Sequence, residues 1–243
     1  MTTTPILDIQ HLNKSFGGLK ALNDVSFAVQ PGEMLGIAGP NGSGKSTLFN
    51  VISRIPFGAD SGTVFYDGQR IDKMKAHDIA ALGLTRTFQK DAEFPNLSAR
   101  ETIELAAVYG LRINKSHRKI EEQLDLLEFD LARINMPTTE LSVYERKQIM
   151  IASALVMNPK VLMLDEPASG LTKPEIESLD RLLRKINNNS VTVVLIEHVL
   201  PLLLSVAQRL IVLNEGSLLA QGDPKAVFKK PEVIDAYLGK RTA

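Results

Sequence analysis

The chain has 243 residues, 44% of them hydrophobic, enough to bury the core of one globular unit or of a large and a small lobe. Its 28 basic and 28 acidic side chains balance, which excludes a global electrostatic signature of nucleic-acid or anionic-membrane binding, and the lack of cysteine excludes disulfides and thiolate metal sites. Met1 to Pro5 lacks the basic start of a signal peptide and no uninterrupted apolar run approaches a membrane span, so any membrane association is expected to come through a partner.

Residues 6 to 37 read as strands: Ile6, Ile9 and Leu12 in one run, Leu22, Val25, Phe27 and Val29 alternating in the next. Between them, Phe16 stands in a polar turn beside Gly17, poorly placed for burial and available to stack on a base. Met34 to Ala38 is a short apolar run, and Thr47 to Ser53 is helix-like. They flank Gly39-Pro40-Asn41-Gly42-Ser43-Gly44-Lys45-Ser46-Thr47, which fits the P-loop pattern of two glycines, lysine and Ser/Thr in its required context of strand, loop and helix. Its glycines let successive backbone N–H groups face one point, where the helix adds the positive end of its dipole. That point suits a polyphosphate: Lys45 to reach the β- and γ-phosphates, the Ser46 hydroxyl to take Mg²⁺, Thr47 to meet a nearby phosphate oxygen.

Thr63 to Tyr66 with Asp67-Gly68 predicts a hairpin, completing a small antiparallel β arm around the nucleotide site. Residues 74 to 82 read as helix and Leu84 to Gln89 as a strand. Helical patterns over Ala99 to Tyr109 and Lys115 to Phe129 then form a lobe of about fifty residues, too long for an ordinary loop. Val161 to Leu164 suits a buried parallel strand, ending in Asp165-Glu166; Val191 to Ile196 suits another, ending in Glu197-His198. Side chains at such ends point into the crevice where open α/β sheets bind ligands. There Asp165 can hold Mg²⁺ through water, Glu166 can polarise the attacking water, and His198 can touch the γ-phosphate. Pro174 opens a helix with Ile176, Leu179, Leu182, Leu183 and Ile186 on one face. These elements predict an α/β fold, a P-loop NTPase core with a small antiparallel β arm and an inserted helical lobe. It is a single domain over 1–243, with core and arm in 1–89 and 146–243 and the lobe in 90–145.

With these motifs the chain resembles, over nearly its whole length, the ATP-binding subunit of an ABC transporter. Phe16 matches the adenine-stacking aromatic, Gly39 to Thr47 the phosphate loop, Gln89 in Thr87-Phe88-Gln89 the Q-loop, Asp165 and Glu166 the Mg²⁺ and base pair, and His198 the switch histidine. The resemblance implies Lys45, Gln89, Glu166 and His198 in catalysis, and Ser46, Gln89 and Asp165 at Mg²⁺. It also implies two ATPs sandwiched head to tail between two ATPase subunits, whose hydrolysis drives transmembrane permease subunits at the cytoplasmic face of the membrane. Phe16-Gly17-Gly18 and the tail from Gly222-Asp223-Pro224 through Ala236-Tyr237-Leu238-Gly239 look most like the branched-chain amino-acid uptake group, although urea and aromatic-acid importers share such residues. That group implies import fed by an external solute-binding protein. Asp91 to Leu97, with Phe94-Pro95, resembles the docking surface for the membrane subunit.

The signature segment departs from the family. Leu141-Ser142-Val143-Tyr144-Glu145-Arg146 keeps Ser142 as a γ-phosphate donor at a helix N-terminus, but Tyr144 replaces a glycine and Glu145 adds negative charge expected to face a polyanion. Thr172 and Ser153 also stand where the family usually has Asp and Arg. These departures lie on the surface offered to a partner's ATP, whereas the chain's own phosphate loop and strand ends are intact, so a heterodimer of unequal sites is expected. The alternative reading is a regulatory subunit that binds nucleotide with little turnover. DNA-repair and translation ATPases of the same class need long coiled coils or two cassettes, neither of which 243 residues without heptads supply.

Overall fold

In the computed structural model, which describes residues 4–88, 94–111 and 117–238, two sheets share the molecule. The first is antiparallel with strand order β2-β1-β4-β5, built from β1 (Leu7–Phe16), β2 (Leu19–Val29), β4 (Ser61–Tyr66) and β5 (Gln69–Arg70). The second has order β10-β9-β3-β8-β7-β6, from β3 (Met34–Ala38), β6 (Leu84–Arg86), β7 (Val161–Asp165), β8 (Thr192–Ile196), β9 (Arg209–Asn214) and β10 (Ser217–Gly222). All its neighbours run parallel except β10, which returns antiparallel along β9.

The continuous apolar runs of β3, β7 and β8 follow from burial on both faces. Leu35, Ile37, Val161, Met163, Val194 and Ile196 face the β arm and α1 (Lys45–Ser53), while Leu162, Leu164, Val193 and Leu195 face the helical side. That side carries α3 (Ala99–Leu111), α4 (His117–Leu126), α5 (Val143–Leu155) and α6 (Lys173–Asn188). On α6, Leu179, Leu182, Leu183 and Ile186 form the buried stripe, and Thr172 and Glu175 close a capping box at its start. The remaining helices are short: α2 (Ala76–Ala81), α7 (Leu200–Val206), α8 (Pro224–Val227) and α9 (Pro231–Leu238). Because β3, β6, β7 and β8 are parallel, their C-terminal ends lie on one side of the sheet, where phosphate loop, Arg86, Asp165 and Glu197-His198 follow directly. Among the described residues, no helix is long and apolar enough to cross a membrane.

Candidate functional site

The phosphate loop leaves β3 through Gly39, whose φ of 147° lies outside the range L side chains favour. A Cβ there would meet the Leu213 carbonyl at 2.2 Å. Gly44, at φ 103°, forms the N-cap of α1, and a Cβ on it would meet the Ala21 carbonyl of β2 at 2.4 Å, which is how closely the β arm presses on the loop. Lys45 begins α1, two residues earlier than the apolar pattern predicts, because the loop's own turn leads straight into the helix. Its Nζ donates to the carbonyls of Gly39 at 2.8 Å and Pro40 at 2.9 Å, and to Ser43 Oγ at 3.4 Å. Burial lowers the Lys45 pKa from its ordinary value, opposed by the charges of Glu166 and Asp165. The amide of Gly39 donates to the Tyr237 hydroxyl of α9 at 2.8 Å, tying the last helix to the loop.

A cleft of about 450 Å³ collects the loop from Asn41 to Thr47 with Phe16, Glu166 and His198. Phe16 is 44% exposed at its rim and meets Phe57 edge to face at 5.1 Å, leaving ring surface open to a base. Glu166 Oε1 and His198 Nε2 lie 2.8 Å apart, so the ends of β7 and β8 are joined by a carboxylate–imidazole pair. Glu166 holds a φ of 50°, a left-handed conformation unusual for a side-chain-bearing residue and typical of functional turns. Asp165 is 3% exposed; its Oδ2 accepts from Arg86 Nη2 at 3.2 Å, whereas Oδ1 is buried without a partner among the described residues. Burial raises the Asp165 pKa, with the Arg86 guanidinium opposing it. An orphaned, buried carboxylate oxygen at this strand end fits a hard divalent cation. No cluster of three or more His, Asp or Glu able to hold a metal alone exists among the described residues, so such a cation would take its remaining ligands from phosphate and water.

Gln89 lies outside the described residues. Ser142 is the N-cap of α5, and its Oγ accepts from the Glu145 amide at 3.2 Å. The structure corrects the expected role of its neighbours. Glu145 does not face outward: Oε2 turns back to accept from the Ser142 amide at 2.7 Å and Oε1 pairs with Arg133 Nε at 2.5 Å. The Tyr144 ring packs against its own core, and burial raises its pKa. Both follow from local energetics, since a Ser-x-x-Glu capping box and an aromatic ring each find better partners inside the subunit than in solvent.

Two further groups carry no motif. Glu197, 2% exposed, accepts from the amides of Ala168 at 2.6 Å, His198 at 2.8 Å and Val199 at 3.0 Å; burial raises its pKa while these amides oppose the rise. A largely apolar cleft of about 560 Å³ is lined by Arg86, Phe88, Phe94, Leu105, Ala106 and Met157 among others. Phe88 and Phe94 are 39% and 45% exposed at it.

A glycine loop between a buried strand and a helix, with an acidic pair and a histidine at neighbouring strand ends, defines the class as P-loop NTPase. The family model for ABC transporters matches residues 22–169. The chain is 34% identical to the high-affinity branched-chain amino acid transport ATP-binding protein BraF of Pseudomonas aeruginosa, covering 97% of this chain and 98% of that one. It is equally 34% identical to LivG of Escherichia coli K12, with the same coverage. A solved nucleotide-free ATP-binding cassette from an ABC transporter superposes with a TM-score of 0.89 at 29% identity, over 97% of this chain and all of that one. A dimeric ATP-binding cassette in a post-hydrolysis state with ADP and Pi superposes at 0.81 and 26% identity, over 90% and 98%. The chain therefore belongs to the ABC transporter family, as one of its ATP-hydrolysing cassettes.

Proposed function

We propose that this chain is the ATPase subunit of an importer for branched-chain or related amino acids, working with Mg²⁺ at the cytoplasmic face of a membrane beside permease subunits. The observation that carries the reading is the convergence on one cleft of the phosphate loop, Glu166 and His198. ATP lies with its base on Phe16 and its phosphates in the loop amides, Ser43 to Thr47. Lys45 exchanges the Gly39 and Pro40 carbonyls for β- and γ-phosphate oxygens, which are better acceptors. Glu166 takes the proton of a water that attacks the γ-phosphorus as the bond to the β–γ bridging oxygen breaks, leaving ADP and inorganic phosphate. His198, whose Nε2 pairs with Glu166 Oε1 before ATP binds, turns that N–H from the carboxylate to the γ-phosphate when ATP fills the cleft. Ser46 and Asp165, whose Oδ1 is buried without a hydrogen-bond partner among the described residues, would hold a Mg²⁺ ion, which would supply charge neutralisation at the phosphates. Gln89 completes the catalytic set. Amino-acid import is supported by the 34% identity to BraF and LivG, and the proposal includes a solute-binding protein outside the membrane. The apolar cleft beneath Phe88 and Phe94 is the permease docking surface. Glu166→Gln should bind ATP and abolish permease-stimulated hydrolysis; retained turnover would remove Glu166 from its role.

One observation favours unequal sites. The capping box uses the amides of Ser142 and Glu145, and a carboxylate now stands in the first turn of α5, weakening the positive helix end that the signature offers to a partner's γ-phosphate. This chain accordingly pairs with a second, different ATPase subunit: the site with this chain's phosphate loop hydrolyses, and the site closed by Ser142 turns over slowly. Tyr144→Gly combined with Glu145→Gln should raise ATPase activity of the assembled complex. No change would sink the asymmetry and leave two working sites.

A further inference from the structure

Arg86, at the end of β6, is 5% exposed in its side chain, and its guanidinium works on three surfaces. Nη2 donates to Asp165 Oδ2 at 3.2 Å; Nη1 donates to Asn50 Oδ1 at 2.8 Å and Ser53 Oγ at 3.1 Å on α1, the helix that continues the phosphate loop. Nε donates to the Thr87 carbonyl at 3.3 Å. The guanidinium lies between two rings, 5.7 Å from the centroid of Phe49 and 4.8 Å from that of Phe88, and it lines the apolar cleft. One planar group thus touches the carboxylate of the cation site, the helix of the phosphate loop and an exposed aromatic of the cleft.

We propose that Arg86 is a positioning residue: it fixes the Asp165 carboxylate so that Oδ1 alone faces the cation, and it links that setting to what lies against Phe88 in the apolar cleft. The inference rests on the proposed reading that Mg²⁺ with ATP binds at Asp165 and that a membrane subunit docks in the cleft. The fork geometry is essential to it. A lysine keeps the charge but cannot bond Asn50, Ser53 and Asp165 together. With Oδ2 no longer held, the carboxylate rotates and the cation loses a fixed ligand. Outer groups that orient a metal ligand typically change metal affinity by about 10-fold to 100-fold. A ligand entering the cleft moves Phe88, and through the stacked guanidinium shifts the same carboxylate.

The test is binding without turnover. A non-hydrolysable ATP analogue is titrated by calorimetry into the full chain, first in EDTA and then across a Mg²⁺ series. Arg86→Lys should leave the affinity in EDTA within about twofold and raise the half-saturating Mg²⁺ concentration by about tenfold. Unchanged Mg²⁺ half-saturation in a folded Arg86→Lys protein overturns the proposal. Should that variant lose its structure, Phe88→Leu answers instead: it is expected to shift the Mg²⁺ half-saturation in the otherwise native chain, and an unmoved value refutes the link. Failure of the native chain to bind the analogue at all, or absence of any Mg²⁺ effect on it, would instead overturn the functional reading beneath.

Discussion

Replacing Tyr237 by Phe keeps the ring, including its tilted contact with Phe228 at 6.2 Å, and removes only the oxygen that accepts the Gly39 amide. Gly39 is buried, so its N–H depends on that oxygen for a partner. A buried donor left without an acceptor costs about 1–3 kcal/mol, and because Tyr237 is 38% exposed, water takes part of the vacated role; the lower end, about 1 kcal/mol, applies. In a chain of this length that lowers the melting temperature by about 2–4 °C. The same amide opens the loop that receives the phosphates, so if the loss falls on loop geometry, ATP affinity drops about fivefold. Calorimetric melting and titration with ATP measure both, and Phe228→Leu separates them: it loosens α9 and lowers the melting temperature while the Gly39 bond remains. A Tyr237→Phe protein that melts and binds like the native chain refutes the reasoning that α9 shapes the loop.

Gly39→Ala should eliminate ATP binding, measured by fluorescent-nucleotide titration, because its Cβ cannot pass the Leu213 carbonyl at 2.2 Å. Glu166→Gln should cut hydrolysis by about 10²–10⁴-fold with binding retained, and size-exclusion chromatography in ATP should show a dimer when the second ATPase subunit is added. A stable dimer of this chain alone would contradict the unequal-site reading. Tyr66→Phe should stabilise the fold by about 1 kcal/mol, because the Tyr66 hydroxyl is buried with no partner among the described residues. Burial also holds the Tyr66 phenol well above its ordinary value of 10. The unfolded chain therefore releases this proton near pH 10 while the folded chain keeps it, so native stability falls as pH rises past 10. The stability gap between Tyr66→Phe and the native chain, followed by urea unfolding, should thus be flat below pH 9 and widen above 10; a constant gap would count against burial as the cause.

What was legible in the sequence was local or periodic. The phosphate loop is contiguous, and Asp165, Glu166 and His198 follow apolar runs whose length and flanks mark parallel strands, so their meeting at one edge follows from topology. Groups joined across the chain leave no such trace: Arg86 and Asp165 are 79 residues apart and Gly39 and Tyr237 are 198 apart. The β9–β10 hairpin, turning at Glu215-Gly216, and the short helices that follow were equally silent, being brief and held by tertiary contacts. Glu145 was misread for a different reason. Its spacing from Ser142 is itself a capping signal, and a carboxylate in the first turn of a helix bonds the nearest free amide before it addresses a distant ligand.

The three amides that converge on Glu197 have a mechanical meaning. Its carboxylate fastens the turn after β7, through Ala168, to the strand end that bears His198, so the two segments travel as one rigid bracket. The bonds are to backbone amides, so the coupling does not depend on where the histidine ring points. A force on that turn would therefore reach the strand end carrying His198 through backbone amides, with no side chain changing hands.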